Sequence, residues 1–299
     1  MKILAPAKIN LFLEVLGRRP DGYHAIRTLF LPLAGLADEL EIVLTAEPGL
    51  QLTCSGPVAV PTGEDNICIR AARAFCRHFD LPESHSLHLQ KNIPAVAGLG
   101  GGSSDAAAVL LLLADLHGLP GERRQELLPL ATAQGADVPF FLEPRPALGE
   151  GIGERLTRIP LGQPLELLLL NPGFPLPVAW SYQHWRRPAG ATPPDFQNLS
   201  AVLARGSARE IAAMAWNDLE FAALEKFPLL QILRQHLLQA GAYAVHVSGS
   251  GPTLFALCPE GRSQAIQQAL QEQFVPPCRI LTVRVQADAA LPPRPEAGA

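Results

Sequence analysis

Apolar residues occupy every second position from Ile9 to Val15, and Lys8, Asn10 and Glu14 lie among them. A period of two predicts a β-strand, because successive side chains of a strand point to opposite faces. Lys8 and Asn10 are therefore predicted to lie on the same face of this strand.

Similar runs predict further strands, and helical spacing of apolar residues predicts helices. The predicted strands are residues 26–32, 40–45, 87–91, 165–170, 245–247, 254–257 and 280–285. The predicted helices are residues 66–79, 103–117, 123–133, 201–203, 208–216, 219–227, 229–239 and 263–273. Proline and glycine are dense at residues 145–153, which we expect to connect two lobes, and proline recurs at 172–194, which we expect to be irregular.

The glycine-rich run between the strand at 87–91 and the helix at 103–117 has a chemical meaning. Four glycines stand among residues 98–102, and Ser103, Ser104 and an Ala/Leu run follow them. Glycine lets backbone N–H groups approach a bulky group closely, and a helix N-terminus attracts anions. The run predicts a phosphate site, although a tight turn before a capped core helix is the alternative. Ser103 stands where the Walker loop needs lysine and where the dinucleotide motif needs glycine, so neither pattern fits.

Composition excludes several classes of protein for this chain. The 299 residues carry a net charge of -4, which argues against a nucleic-acid-binding protein. The five cysteines form no Cys-x-x-Cys pair, so we expect reduced thiols and no zinc site. No apolar run approaches the length of a membrane span, and the start lacks a signal-peptide pattern. We therefore expect a soluble, cytoplasmic protein.

Three motifs in this order resemble those of the GHMP kinases, and the resemblance spans nearly the whole chain. They are residues 6–11 (PAKINL), residues 94–107, which contain the glycine-rich run, and residues 247–252 (VSGSGP). The resemblance implies a two-lobed α/β (α+β) fold with the active site in the cleft. Residues 1–158 would form the N-terminal ATP-binding lobe, residues 159–288 a C-terminal ferredoxin-like lobe, and residues 289–299 a disordered tail.

Three shorter segments narrow the resemblance to one branch of these kinases. They are residues 21–24 (DGYH), 64–66 (EDN) and 135–139 (GADVP). Members of this branch phosphorylate the 2-hydroxyl of diphosphocytidyl-methylerythritol in the non-mevalonate route to isoprenoids. The resemblance implies ATP as phosphoryl donor, Mg²⁺ as its usual companion and a small substrate with a cytidine diphosphate group. The motifs identify no metal ligand.

The resemblance assigns catalysis to Lys8 and Asp137. A kinase of alcohols needs a group that accepts the hydroxyl proton, and Asp137 would be this base. Lys8 would lie beside it and stabilise charge on the transferring phosphate. From the residues alone, Asp137 could instead be the N-cap of a helix that begins before Pro139, and Lys8 could be a solvated residue of an edge strand.

The resemblance also assigns the binding residues. The predicted ATP-binding residues are Asn66, Lys91, Pro94, Gly98, Leu99, Gly100, Gly101, Gly102, Ser103 and Ser104. The predicted substrate-binding residues are Asn10, Tyr23, His24, Phe30 and Trp180. Tyr23 would stack on the cytosine, His24 would hydrogen-bond its edge, and Trp180 would complete the stack. Phe30 and Trp180 could instead be core residues, and Asn66 a helix N-cap.

Two other functions are compatible with these residues. The chain could be a GHMP kinase for another small alcohol, such as homoserine or a mevalonate derivative, or a non-catalytic binding protein of the same fold. Retention of both Lys8 and Asp137 argues against the second, because a binding protein has no use for a base. Leu176 stands where relatives can carry a small hydroxyl residue, so one substrate contact is expected to be lost. We expect no nucleic-acid or membrane partner, and a monomer or weak homodimer.

Overall fold

The computed structural model describes residues 1–273 and 278–286. In this part of the chain there are eleven strands. They are β1 (Lys2–Arg18), β2 (His24–Leu44), β3 (Gly49–Ser55), β4 (Ser84–Gln90), β5 (Ala147–Gly151), β6 (Arg155–Arg158), β7 (Leu165–Asn171), β8 (Trp216–Asn217), β9 (Ala244–Val247), β10 (Leu254–Cys258) and β11 (Arg279–Val285).

The same residues form ten α-helices and two 3₁₀ turns, Gly121–Glu126 and Phe196–Asn198. The helices are α1 (Ile67–Phe79), α2 (Gly101–Leu116), α3 (Leu127–Gln134), α4 (Val138–Leu142), α5 (Val178–Gln183), α6 (Leu199–Arg205), α7 (Ala208–Ala213), α8 (Glu220–Lys226), α9 (Pro228–Gln239) and α10 (Ser263–Gln273). The predicted tail at 289–299 and residues 287–288 of the predicted second lobe lie outside the described residues. The lobe boundary at residue 158 stays a prediction.

The long strand β2 organises the first half of the chain. It pairs with β1 along nearly its whole length, with β5 over its first part and with β4 over its last part. The two strands predicted at 26–32 and 40–45 are therefore one element. Gly35 lies at its middle with a φ of 95°, so the chain changes direction there without ending the strand.

Other sequence predictions in this region also need correction. The segment predicted to connect two lobes contains β5, which forms a hairpin with β6 and extends the sheet of β2. The helix predicted at 123–133 is divided into a 3₁₀ turn and α3. The proline-rich segment predicted to be irregular contains the short helix α5. Pairing of β5 with β2 decides the first of these conformations, and proline and glycine content alone does not reveal it.

The second half of the chain confirms the predicted ferredoxin-like arrangement. Its antiparallel strands lie side by side in the order β9–β10–β7–β11. Helices separate β7 from β9, and α10 separates β10 from β11, which is the split βαβ connectivity. The pair Arg284↔Ala34 joins β11 to β2, so the two sheets are continuous.

Helix α2 forms the centre of the first hydrophobic core. Its residues from Ala106 to Leu110 are buried on every side, which matches the Ala/Leu run in the sequence. It packs against α1, α4 and β1. Its N-terminus follows the glycine-rich run, so the packing of this helix fixes where those glycines lie. No helix within the described ranges is long and apolar enough to cross a membrane.

Candidate active site

A cavity of about 1260 Å³ receives residues from both halves of the chain. Its wall includes Lys8 from β1, the glycine-rich run before α2, Asp137 before α4, Tyr182 from α5 and Gly249 from the turn after β9. Residues that are far apart in the sequence thus meet around one space that is large enough for two small-molecule ligands.

The glycine-rich run lies against two other parts of the cavity wall. Gly98 and Gly100 have φ angles of 76° and 70°. A Cβ at Gly98 would overlap the carbonyl oxygen of Ser248, and one at Gly100 would lie 2.9 Å from the Cγ of Lys8. These positions require glycine because of both backbone conformation and space. The first residues of α2, a helix of 16 residues, line the cavity, so its N-terminus is placed to attract an anion there.

Lys8, Asn10 and Asp137 form one connected group. The Lys8 ammonium donates to Asn10 Oδ1 at 2.6 Å and lies 3.3 Å from Asp137 Oδ2. Asn10 Nδ2 donates to Thr28 Oγ1 at 2.8 Å, and this hydroxyl donates to the Phe12 carbonyl at 2.7 Å. The prediction that Lys8 and Asn10 share a strand face is confirmed. Lys8 is only 4% exposed, so water screens its charge little and its electrostatic interaction with these partners is strong.

Asp137 occupies the N-cap position of α4, but its carboxylate makes no capping hydrogen bond. The alternative interpretation of this residue as a helix cap is therefore right about its position and wrong about its side-chain contact. About a third of its side chain is exposed, and the carboxylate borders both Lys8 and the cavity. A carboxylate so placed can accept a proton from a bound hydroxyl group.

The third glycine motif supports the second, as the resemblance implies. Ser248 Oγ donates to the Gly98 carbonyl at 2.9 Å. Gly249 has a φ of 53°, and a Cβ there would lie 2.9 Å from Asn10 Oδ1. The turn therefore packs against the glycine-rich run on one side and the Lys8–Asn10 pair on the other.

Aromatic side chains collect in another part of the cavity wall. The rings of His24 and Tyr182 are stacked with centroids 5.0 Å apart, and Trp185 meets His24 edge-on at 6.2 Å. Tyr23 also lines the cavity and is 60% exposed. Stacked rings with a polar edge suit a flat, hydrogen-bonding ligand such as a nucleobase.

The structure places neither Trp180 nor Phe30 in the cavity wall, contrary to what their predicted role requires. Trp180 stacks on His184 at 4.4 Å and has the Lys226 ammonium 4.6 Å from its ring centroid, away from the cavity. Positions two apart on a helix differ by about 200° in direction, so Trp180 and Tyr182 face opposite sides of α5. Phe30 is 1% exposed and packs against Phe140 in the core.

All of the residues predicted to bind ATP line the cavity except Ser104. Asn66, Pro94, Ser103 and the residues from Gly98 to Gly102 line the cavity. Asn66 is at the same time the N-cap of α1 and accepts from the Cys68 N–H at 2.8 Å. Ser104 does not line the cavity; it is 1% exposed because its position on α2 faces the core.

Lys91 lines the cavity, but two carboxylates hold its ammonium. It is paired with Asp38 and, at 2.7 Å, with Asp105. Burial raises the pKa of Asp105 to about 7, although Lys91 opposes this shift. Asp105 Oδ1 is buried in the cavity wall and has no hydrogen-bond partner among the described residues.

Several functional candidates are absent from the sequence predictions. Tyr182 and Trp185 lie in the proline-rich segment, where no periodicity marks the cavity side. Asp105 directly follows the two serines of the glycine-rich motif, and its acidic character there was an available signal. The described residues contain no group of three or more His, Cys, Asp or Glu side chains arranged to hold a metal ion.

Comparisons with known proteins agree with this architecture. The model for the GHMP kinases N terminal domain matches residues 66–143, and that for the GHMP kinases C terminal matches residues 199–276. A 4-diphosphocytidyl-2-C-methyl-D-erythritol kinase of Geobacter sp. (strain M21) is 43% identical over 259 residues, covering 86% of this chain and 89% of that protein. One from Symbiobacterium thermophilum is 40% identical over 261 residues, covering 87% and 91%.

Solved structures give the same result. A crystal structure of 4-(cytidine 5'-diphospho)-2C-methyl-D-erythritol kinase has a TM-score of 0.78 and 37% identity, with 96% of this chain and 99% of that one covered. A homoserine kinase from Cytophaga hutchinsonii has a TM-score of 0.77 at 21% identity, with 96% of each chain covered, which shows the fold alone. The predicted two-lobed GHMP fold is confirmed. The chain belongs to the 4-diphosphocytidyl-2-C-methyl-D-erythritol kinase family of the GHMP kinases.

Proposed function

We propose that this chain transfers the γ-phosphoryl group of ATP to the 2-hydroxyl of 4-diphosphocytidyl-2-C-methyl-D-erythritol, giving the 2-phosphate and ADP. Membership of the family supports this activity. The observation that carries it is the Lys8–Asp137 pair, with 3.3 Å between ammonium and carboxylate, in the same cavity as the glycine-rich run and the stacked aromatic rings. The reaction belongs to the methylerythritol phosphate route to isoprenoid precursors.

The base in this proposal is Asp137. Its carboxylate accepts the proton of the 2-hydroxyl as the oxygen attacks the γ-phosphorus, the bond from phosphorus to the β–γ bridging oxygen breaks, and ADP leaves. Lys8 stabilises the charge that develops on the transferring group. Asn10 holds the Lys8 ammonium at 2.6 Å and also borders the substrate. Direct transfer needs no phosphoenzyme, because both ligands fit in one cavity.

The glycine-rich run and the N-terminus of α2 bind the phosphates of ATP. Unpaired N–H groups and the helix dipole supply the attraction, and the glycines allow close approach. Asn66, Lys91 and Pro94 complete the nucleotide side. Mg²⁺ bound to ATP neutralises phosphate charge. The unpartnered Asp105 Oδ1 in the cavity wall fits this cation, since carboxylate oxygen is a ligand that Mg²⁺ prefers.

The cytosine binds at the aromatic end, where Tyr182 takes the role first assigned to Trp180. Tyr182 and Tyr23 offer ring faces, and His24 offers a hydrogen-bonding edge. Trp185 closes this end of the cavity beside His24. Burial lowers the pKa of His24, so the imidazole is neutral near pH 7 and has one donor and one acceptor nitrogen.

Tyr182→Ala is expected to raise the KM for the cytidylated substrate by about 5-fold or more, because a base–aromatic stack contributes about 1–3 kcal/mol. The KM for ATP should change little. Steady-state kinetics with each substrate varied in turn measures the effect. Trp180→Ala is the matched control on the same helix, since Trp180 faces away from the cavity. An equal rise in KM for both variants would contradict the revised assignment.

An ATP-consumption assay with a panel of alcohols tests the function itself. The panel contains the cytidylated methylerythritol, homoserine and mevalonate. Turnover of the cytidylated alcohol alone is expected. Turnover of homoserine or mevalonate, unaffected by substitution of Tyr23 and His24, would favour a different GHMP kinase. No turnover of any cytidylated alcohol would refute the proposal.

Three further properties are proposed on the sequence alone. The lobes are residues 1–158 and 159–288, the protein is a monomer or weak homodimer, and it acts in the cytoplasm. Size-exclusion chromatography with light scattering measures the oligomeric state.

A further inference from the structure

A short stretch that pairs with β1 contacts the turn of the third glycine motif and packs beside the aromatic rings. Residues 216–220 (the bridging segment) contain β8, which pairs in parallel with β1 at Phe12 and Leu13. Three consecutive buried residues of this segment, Asn217, Asp218 and Leu219, have side chains that reach different parts of the site. None of them belongs to the three kinase motifs described above.

Asn217 holds the turn of the third glycine motif. It is 1% exposed, and its Nδ2 donates to the carbonyls of Val247 and Gly249, both at 2.7 Å. Its Oδ1 accepts from the Leu219 N–H at 2.9 Å. Both amide hydrogens and the amide oxygen are thus used, so the side chain has one defined orientation. Because Gly249 packs against Asn10 and Lys8, this orientation fixes the wall behind the reacting groups.

Asp218 holds the segment that carries aromatic residues of the cavity wall. It is fully buried and accepts from the Val15 N–H at 2.7 Å and the Trp216 indole at 2.9 Å. It also accepts two hydrogen bonds from Arg187, at 2.9 and 2.5 Å. Arg187 follows Trp185 by two residues, so the pair anchors the segment after α5 to β1.

Leu219 lies beneath the aromatic rings. It packs in one cluster with Leu13 and Val15 of β1, and Tyr182 and Trp185 lie against this cluster. It also lines the cavity. The bridging segment therefore fixes the position of the aromatic rings relative to β1, and the same segment fixes the position of the glycine turn.

We infer that Asn217 and Asp218 are positioning residues with separable effects: Asn217 places the glycine turn at the phosphoryl-transfer end, and Asp218 places the aromatic end that receives the cytosine. This inference rests on the proposed function. Neither side chain touches the reacting atoms; each acts through the backbone or side chain that it holds. A displacement of about 1 Å at a reacting centre can cost about 100-fold in rate.

Asn217→Ala tests the first role. The expected result is a kcat lower by about 100-fold, with the dissociation constant for CDP within about twofold of wild type by titration calorimetry. Asn217→Asp keeps the shape and the acceptor but removes both donors. A carboxylic acid can restore one donor, so its kcat relative to wild type should increase as the pH is lowered. Gln163→Ala is the control, since Gln163 Nε2 donates to the Gly206 carbonyl at 2.6 Å away from the cavity.

Asp218→Asn and the milder Arg187→Gln test the second role. Both are expected to weaken CDP binding by about 10-fold and to change kcat by less than about threefold, because Asp218 and Arg187 hold Val15 and Glu14 of β1 and not the Lys8–Asn10–Asp137 group. Asp115→Asn is the control, an Asp–Arg pair with Arg124 outside the cavity. Circular dichroism at the assay temperature shows whether each variant is folded. If Asn217→Ala or Asp218→Asn is unfolded, the milder variants Asn217→Asp and Arg187→Gln decide the outcome.

Parallel losses of kcat and CDP affinity in both groups of variants would overturn the inference, as would wild-type kcat in folded Asn217→Asp across the pH range. Failure of the proposed function gives a different result, because the wild type would then neither bind CDP nor phosphorylate the cytidylated alcohol. In that case titration with MgATP still tests the role of Asn217, and unchanged ATP affinity in its variants would overturn that role.

Discussion

Asp137→Asn should lower kcat for the cytidylated alcohol by about 10²–10⁴-fold, the range that general-base catalysis contributes. The amide has nearly the same shape and can still lie beside Lys8, but it cannot accept the hydroxyl proton. The KM values for both substrates should change by less than about threefold, because neither the stacked rings nor the glycine-rich run is altered. Initial rates with each substrate at saturation measure this separation.

The control for this substitution is Asp195→Asn, which changes an exposed carboxylate that accepts from the Gln197 N–H. Asparagine keeps that acceptor, so activity should be unchanged. Wild-type turnover by Asp137→Asn would refute the mechanism proposed for Lys8 and Asp137. A rise in KM with an unchanged kcat would make Asp137 a substrate-binding residue instead of a base.

Gly98→Ala is expected to have the largest effect on stability and to abolish ATP binding. A left-handed backbone costs an alanine about 1–2 kcal/mol, and forcing an atom into a filled space costs about 1–3 kcal/mol more. The Cβ would overlap the Ser248 carbonyl, so the second and third glycine motifs would have to separate. Together the two costs lower the free energy of unfolding by about 2–5 kcal/mol.

Urea unfolding and calorimetric titration with MgATP measure both effects of this substitution. Gly118→Ala is the matched control, because Gly118 also has a positive φ, 61°, but nothing within 4 Å of its Cβ position. It should lose only the backbone cost, about 1–2 kcal/mol, and keep its ATP affinity. Equal losses in the two variants would show that contact between the motifs is unimportant.

The sequence predicts which residues meet around Lys8, because local patterns and motifs determine it. Alternation in β1 places Lys8 and Asn10 together, and glycine followed by a helix-forming run places an anion site at the start of α2. The resemblance then adds Asp137. Each of these signals lies within one element or one motif.

The aromatic end depends on contacts that no local pattern encodes. Tyr182 meets His24 across a sequence separation of more than a hundred residues, on a helix of six residues in a proline-rich segment. A choice between Trp180 and Tyr182 requires the direction of that helix, which tertiary packing sets. Lys91 is a similar case, since its position near the glycines is predictable but its pairing with Asp38 on β2 is not.

The position of Asp137 has a consequence for the effect of mutations in this protein. Its carboxylate is partly exposed and makes no hydrogen bond that caps α4, so the contact through which it serves the fold is its ion pair with the buried Lys8. Under the proposed mechanism, Asp137→Asn removes the base, and because the amide can still lie beside Lys8 it leaves the fold and the cavity intact. A neutral side chain of the same shape can therefore separate the proposed chemistry from the architecture at Asp137, whereas at Gly98 no side chain can.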